Sequence, residues 1–514
     1  MRLDKTQKLH QNSTMSLKKR INVELARIVL LKILKRYHRF YGSRMPIILV
    51  TGTVGKSSQT LMLKTLFEND GWFVFTGTSR NKKSFNSITG LTMSLAGFSI
   101  DFEGGAVFLK KAWFIFRALW FVLFESYAKL SEKTILIYEV GYDHQNESFE
   151  FSRVFENGFD LLLTTSVTYE HTAGFKDSIN NDILWKVTNL LPQKWLPVFE
   201  DEGIDTRLKN IALEQFHLIE YSDDYIIPAA IGIIDNWVMD SMSDDQEPRV
   251  HYVKSERGDG FALIADDTFV FSKEYILPHT FASSAYILNL VAQKYRMDTE
   301  LVAKTVNTVA LPNGRFSLLE GILNSVIIDS TYNSDPQSMD SLLNVLEEVV
   351  EVSTRVKDTQ LLSSESDSRS SEIPKHYLIF GEMRELGEIS TLAHQEILQR
   401  LIELGKSRGS YIENIYLVGS EWLKCDDDGV VKVQDNVSFI SYKNQLFKVF
   451  SRAGDVNTLL NKDTIRPNSW FWLKGSQNTI FLEIVAEHLL CYPNDADKLP
   501  RRGKYWDRVR QIYK

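Results

Sequence analysis

From residue 46 onward, short apolar runs alternate with stretches whose apolar residues recur at helical spacing. The runs at 47–50, 72–75, 135–139 and 161–165 predict buried strands. Their alternation with helical patterns predicts an α/β fold with a mostly parallel sheet flanked by helices. Residues 220–275 break the rhythm with short alternating segments and the turn signal Glu256-Arg257-Gly258-Asp259-Gly260, which predicts a small antiparallel unit. A helical segment follows at about 281–295. The turn Leu311-Pro312-Asn313-Gly314 marks a boundary. Beyond it, strand-like runs recur at 326–329, 377–380, 415–418 and 470–473 with helices between them, predicting a second, Rossmann-like α/β domain. The stretch at about 354–374, which contains LLSSESDSRSSE, reads as a disordered insertion. The expected organisation is a basic helical segment over 1–45, a central domain over 46–312 and a C-terminal α/β domain over 313–514. There are no internal repeats.

Two further helical stretches change this picture. Residues 15–41 read as a basic amphipathic helix, either packed against the body of the protein or lying on a membrane surface. Residues 106–124 (AVFLKKAWFIFRALWFVLF) nearly have the length of a membrane span, but Lys110, Lys111 and Arg117 would be costly in lipid. A buried or partner-covered helix, inserted at about 101–131, is the expectation, with an interfacial helix as the alternative. No signal peptide is visible: the apolar stretch 28–34 is interrupted by Lys32 and lacks a small-residue cleavage site.

Composition narrows the class. At 514 residues the chain is too long for one ordinary core. A net charge of −7 and a pI of about 5.9 argue against nucleic acid as the main partner. The two cysteines, Cys425 and Cys491, lie far apart, which excludes a disulfide framework and a zinc ribbon and fits a reducing cytoplasm.

The chemistry concentrates where the first strand ends. Ile47 to Val50 leads into Thr51-Gly52-Thr53-Val54-Gly55-Lys56-Ser57-Ser58, and a helical pattern with Leu63, Leu66 and Phe67 follows, closed by Gly71. Strand, glycine-bracketed loop and helix form a phosphate cradle: backbone N–H groups close around an anion and the helix N-terminus adds its dipole. Lys56 can reach the β/γ-phosphates and the Ser57 hydroxyl can bind Mg²⁺. The loop is tighter than the common G-x-x-x-x-G-K-S spacing, since Val50 stands where that pattern has its first glycine. A nucleoside triphosphate is the expected ligand.

Further motifs then fall in a recognisable order. Thr51 to Ser58 resembles the ATP loop T-G-T-x-G-K-[ST]-[ST] of the Mur ligase family. Residues 81–91 (NKKSFNSITGL) resemble that family's asparagine-containing loop, and Tyr138-Glu139-Val140-Gly141 its strand-end E-[LM]-G. His171 with Gly174-Phe175 is similar to A-H-L-x-G-F, and Gly314-Arg315-Phe316 to G-R-[FLM]. Asp329-Ser330-Thr331-Tyr332-Asn333-Ser334-Asp335-Pro336 resembles D-D-S-Y-N-A-N-P. Gly381-Glu382-Met383-Arg384-Glu385-Leu386-Gly387-Glu388 resembles G-D-M-x-E-L-G-E, and Lys474-Gly475-Ser476 the late K-G-S. The last three point, within the family, to the type that joins D-alanyl-D-alanine to a UDP-muramoyl tripeptide. The resemblance spans about 46–490.

The resemblance implies a site. Gly52, Thr53, Gly55, Lys56, Ser57 and Ser58 would hold the ATP phosphates. Glu139 projects from the carboxyl end of a buried strand, where ligands of open α/β sheets gather, and a carboxylate there suits Mg²⁺. His171 would ligate a second Mg²⁺. Lys186 stands for the family's often carbamoylated lysine if one residue is inserted between it and His171; Lys176 is too close to serve. Arg315 would reach phosphate, which its planar, permanently charged donors suit, and Asp329 the ribose hydroxyls. Asn333 would lie near the substrates.

Departures from the family pattern are equally plain. Its H-N-x-x-N appears as His279-Thr280-Phe281-Ala282-Ser283, so both adenine-side asparagines are replaced, and Ser330 replaces the second Asp of D-D-S-Y-N. Only about 45 residues precede the ATP loop, so the chain is expected to lack the usual N-terminal UDP-binding domain. The implied activity is an ATP-dependent, amide-bond-forming ligase whose two domains close around ATP and which works through an acyl-phosphate. The acid and amine would be a UDP-muramoyl-peptide and D-alanyl-D-alanine. A different acid and amine, as in polyglutamylation, is the first alternative. A non-catalytic nucleotide-binding scaffold at the membrane surface is the second.

Overall fold

The computed structural model describes residues 17–51, 55–77, 87–95, 130–141, 147–155, 158–164, 311–362, 374–384, 386–427, 432–434, 437–475 and 480–511. It also describes the strands between 216 and 272 as backbone, and most of 284–309. The stretch 106–124, the loop 52–54, His171, Lys186 and 279–283 lie outside the described residues. The chain divides into two compact units, with the break in the main run of chain between Val309 and Ala310.

The first unit is built on a sheet of order β2-β3-β1-β4-β5-β6. Its strands are β1 (Ile47–Thr51), β2 (Phe73–Phe75), β3 (Thr134–Glu139), β4 (Leu161–Thr164), β5 (Phe216–Tyr221) and β6 (Ile226–Ala230). β2, β3, β1 and β4 run parallel, and all residues of β1 and β3 are buried. That is the continuous apolar signature of strands covered on both faces. β5 and β6 extend the sheet antiparallel. β5 straddles the start of the region 220–275 read as a separate antiparallel unit, and β6 lies within it. Short alternating strands carry no information about which edge they join, so the sequence pattern did not assign them to this sheet.

Helix α1 (Leu17–Tyr41) covers one face of this sheet with α3 (Ile88–Leu95) and α4 (Glu147–Val154). Val23, Ala26, Val29, Leu30, Ile33 and Tyr37 recur at helical spacing and pack with Ile47, Leu49, Leu136 and Tyr138. Each large side chain so buried stabilises by about 1.5–3 kcal/mol. The Tyr37 hydroxyl donates to the Glu132 carbonyl, and that of Tyr41 to the Leu130 carbonyl at 2.7 Å. The apolar stripe of this basic helix is therefore part of the core. On the opposite face lies α2 (Lys56–Asn69), where Asn69 Nδ2 donates to Thr305 Oγ1 of α5 (Glu300–Thr308) at 3.1 Å. Among the described residues, no helix is long and apolar enough to cross a membrane.

The second unit has the sheet order β10-β11-β17-β12-β13-β16-β15-β14. These strands are β10 (Ser317–Gly321), β11 (Ser325–Ser330), β12 (His376–Gly381), β13 (Ile412–Val418), β14 (Lys432–Gln434), β15 (Val437–Tyr442), β16 (Gln445–Phe450) and β17 (Trp470–Lys474). The middle five, from β11 to β16 in that order, are parallel, and antiparallel strands close both edges. Leu319, Ile327, Ile379 and Val418 pack on Val485 and Leu489 of α8 (Glu483–Leu489). Arg400 of α7 (Ser390–Arg408) joins it to α6 (Pro336–Leu362) by bonds of 2.7–3.1 Å to Asn344 and Glu347. α6 runs to Leu362, well into the stretch read as a disordered insertion; the Ser/Asp/Glu-rich run begins only after it, and 363–373 lie outside the described residues. A three-stranded antiparallel sheet, β7 (His251–Lys254), β8 (Phe261–Ala265) and β9 (Thr268–Ser272), groups with this unit, because β7 runs against α6, although it precedes residue 313 in the chain.

Two buried histidines of this unit are held in their neutral form. His376 is fully buried, accepts a bond from Trp472 Nε1 at 2.9 Å, and burial, with Lys375 nearby, pushes its pKa from 6.5 to about 3. His394 accepts the Met383 N–H on Nε2 (2.9 Å) and faces the Ser390 carbonyl with Nδ1 (2.6 Å), so Nδ1 carries the proton; burial lowers its pKa too. The unfolded chain takes up protons below about pH 6.5 that the folded one excludes. Stability is therefore full above the ordinary histidine pKa and is lost as pH falls toward 3, at up to about 1.4 kcal/mol per pH unit for one such ring. Denaturant titrations from pH 7 down to pH 5 should show a falling midpoint, with a shallower fall for His376→Gln. An identical slope in that variant would contradict this assignment.

Candidate active site

β1 ends at Thr51 beside the end of β3, with Val50 opposite Glu139 and the Val140 N–H donating to the Val50 carbonyl at 2.8 Å. This register sets Glu139 at the level where the chain leaves β1. The chain re-enters at Gly55, which caps α2 with φ +87°, a left-handed conformation that glycine adopts without steric cost. The Gln59 N–H closes the first turn on the Gly55 carbonyl at 2.9 Å. Among the described residues no side chain caps this helix end, and a helix N-terminus of this kind favours an anion.

Ser57 and Glu139, far apart in sequence, meet here: Ser57 Oγ donates to Glu139 Oε2 at 2.9 Å, and both residues are buried, as is Ser58. Lys56 sits half-buried at the first position of the helix. Two hard oxygen donors converging at the end of a parallel sheet fit Mg²⁺, which takes one or two protein oxygens and fills its octahedron with phosphate and water. Among the described residues there is no cluster of three or more His, Cys, Asp or Glu side chains suited to a metal. Gly52, Thr53, His171 and Lys186 lie outside the described residues.

The second unit builds another polar centre. Pairing of β10 with β11 (Ser317 opposite Asp329) brings the Gly314-Arg315 turn beside the loop 331–335. The Tyr332 N–H donates to the Gly314 carbonyl at 3.1 Å, and the Arg315 guanidinium lies over the Tyr332 ring at 4.8 Å. Gly314 has φ +78°, and a Cβ there would come within 2.8 Å of Pro500 Cγ. Asp329 is completely buried. Its Oδ1 accepts from the Thr331 N–H (3.1 Å) and hydroxyl (2.6 Å), whereas Oδ2 has no partner among the described residues, and neither has the buried Arg315 Nε. Burial raises the Asp329 pKa; the Thr331 bonds and the charges of Arg501 and Arg502 pull it back. A buried carboxylate oxygen and a buried guanidinium nitrogen that find no partner among the described residues are each costly without a polar ligand.

The same loop is fixed at its far end. The Asn333 carbonyl accepts from Lys474 Nζ, and Asp335 caps α6 through Ser338 N–H at 3.1 Å. The motif after β12 is equally fixed: buried Glu382 accepts from Arg384 Nη1 and from the Glu421 N–H, both at 2.9 Å. The sequence reading missed Arg501, whose guanidinium is buried against this centre. Nothing in the pattern separates Arg501 from Arg502 beside it, and a terminal Arg-Arg pair reads as solvated charge.

No family model matches the sequence. Over 392 residues, 74% of the chain, it is 25% identical to the UDP-N-acetylmuramoyl-tripeptide–D-alanyl-D-alanine ligase of Rickettsia prowazekii (strain Madrid E). Its sequence likeness is to a MurF-type Mur ligase. The chain spans 66% of the length of that curated relative. The Mur ligase fold is also seen in crystal structure I of MurF from Acinetobacter baumannii, which matches with a TM-score of 0.52 at 15% identity, over 90% of this chain and 80% of that one. The mostly parallel α/β architecture expected from the sequence is thus a Mur ligase architecture.

Proposed function

We propose that the chain is an ATP-dependent acid–amino-acid ligase that forms an amide bond through an acyl-phosphate. The observation that carries this reading is the buried Ser57–Glu139 pair beside Lys56, at the N-terminal end of α2 and the carboxyl end of a parallel sheet. Lys56 and the first amides of α2 would bind the β/γ-phosphates, and Ser57 and Glu139 would hold Mg²⁺, which supplies charge neutralisation at the phosphates when bound. Arg315 would contact phosphate and Asp329 Oδ2 would accept from a ribose hydroxyl, giving both orphaned groups a partner. His171 and Lys186 keep the roles that the resemblance implies, a second metal ligand and a carbamoylated lysine, and Asn333 its place near the substrates.

The reaction then balances simply. The substrate carboxylate attacks the γ-phosphorus and ADP leaves. The amine next attacks the acyl carbon, and phosphate leaves carrying one former carboxylate oxygen. Catalysis on this account is positioning and charge stabilisation, with no covalent bond to the protein.

The proposed substrates are a UDP-muramoyl tripeptide and D-alanyl-D-alanine, as for the Rickettsia relative, in the cytoplasmic synthesis of peptidoglycan precursors. Support comes from the fixed loops carrying the D-S-T-Y-N-S-D-P and G-E-M-R-E-L-G-E motifs. Phosphate release from Mg²⁺-ATP should require both compounds together. Release with glutamate or another amine in place of D-alanyl-D-alanine would keep the ligase and replace its acceptor.

A further inference from the structure

We propose that Arg501 is the positioning residue that shapes the nucleotide-facing loop of the second unit. This rests on the ligase reading above, in which Asp329 and Arg315 face ATP.

The Arg501 guanidinium does more than neutralise a charge. Nη1 donates to Glu483 Oε2 at 3.0 Å, and Nη1 and Nη2 both reach the Thr331 carbonyl at 3.2 Å. Nη2 also donates to the Tyr332 carbonyl at 2.8 Å. The same plane lies 5.6 Å from the ring centroids of both Tyr332 and Phe481. The side chains of Arg501 and Glu483 are 4% and 0% exposed, so this is a fully desolvated pair. A pair of that kind is costly to bury and gains back its cost only where the remaining donors are satisfied. Here the remaining donors are spent on two consecutive carbonyls of one loop.

Those carbonyls belong to the residues that matter. Thr331 holds Asp329 Oδ1 through its N–H and hydroxyl, which leaves Oδ2 as the free acceptor. Tyr332 carries Arg315 on its ring, and its N–H ties the loop to Gly314. Fixing Thr331 and Tyr332 therefore fixes the orientation of both the ribose-facing carboxylate and the phosphate-facing guanidinium. Arg501 itself sits at φ +53°, a left-handed backbone that non-glycine residues rarely adopt, and Pro500 before it packs against Gly314.

The test uses the full chain and isothermal titration with Mg²⁺-ATP, Mg²⁺-2′-deoxy-ATP and Mg²⁺-tripolyphosphate. Arg501→Lys keeps a cation for Glu483 but cannot span both carbonyls. The double variant R501M/E483L removes both charges, so that no buried carboxylate is left uncompensated. Both are expected to bind ATP about tenfold more weakly, the equivalent of one to two hydrogen bonds. They should lose the preference for ATP over the 2′-deoxy form and lose less affinity for tripolyphosphate, which lacks the ribose that Asp329 faces and senses only the Arg315 part of the disturbance. Folded variants that bind all three ligands as the wild type does would overturn the inference while leaving the ligase reading intact. A wild type that binds neither ATP nor tripolyphosphate would instead refute the ligase reading, and the inference with it.

Discussion

Replacing Lys56 by alanine is expected to all but abolish ligation, lowering kcat by about a hundred- to a thousandfold and leaving the fold in place. Lys56 is the cation at the first position of α2, next to the buried Ser57–Glu139 pair. In an acyl-phosphate mechanism, negative charge builds on the γ-phosphoryl oxygens and the leaving ADP. A fixed cation at that point acts on the transition state in a low-dielectric site, where one such group contributes on the order of a hundred- to a thousandfold. The side chain is only half-buried, so its loss should change stability by about 1 kcal/mol or less. Steady-state phosphate release and a thermal melt on the same preparation check both halves. Near-normal ATP consumption by Lys56→Ala would remove this residue, and the loop it belongs to, from the active site.

Glu139→Gln should give the second-largest effect, and of a different kind. The substitution is isosteric, and the amide oxygen can still accept the Ser57 hydroxyl, so the local packing survives. What disappears is the charge, which is what a hard cation needs. The Mg²⁺ concentration for half-maximal rate should rise about tenfold or more, with kcat at saturating Mg²⁺ down by about a hundredfold. A purely structural Glu139 would behave in reverse, with a lowered melting temperature and an unchanged Mg²⁺ titration.

How much of this was legible in the sequence depended on how local each signal is. The strands β1, β3, β4, β11, β12 and β17 were legible because a strand buried on both faces is written as an uninterrupted apolar run, such as 47–50 or 470–473. Gly55-Lys56-Ser57 was legible because strand, loop and helix are consecutive in the chain. Its pairing with Glu139 followed only from the family motif, since nothing in the spacing states that β3 lies beside β1. The packing of α1 was open between core and membrane, because an amphipathic stripe shows that one face is buried and not in what. Burial of Val29, Ile33 and Tyr37 against Ile47 and Tyr138 decides it.

Arg501 was illegible for the opposite reason. Its partners Glu483, Thr331 and Tyr332 are 18, 170 and 169 residues away, and the alternation of apolar and polar positions carries no trace of such contacts. The same holds for Lys474 on the Asn333 carbonyl, which the late K-G-S motif marks without explaining. The helical start of the 354–374 stretch was missed because composition was averaged over a window that joined the end of α6 to the serine-rich run after it.

The central claim is that a substrate carboxylate takes the γ-phosphoryl group before the amine arrives. It is tested most directly by labelling the carboxylate of the UDP-muramoyl tripeptide with oxygen-18 and analysing the released phosphate by mass spectrometry after reaction with Mg²⁺-ATP and D-alanyl-D-alanine. The account predicts one labelled oxygen in each phosphate released and amide product in equal amount. Unlabelled phosphate, or release of pyrophosphate with AMP, would contradict it.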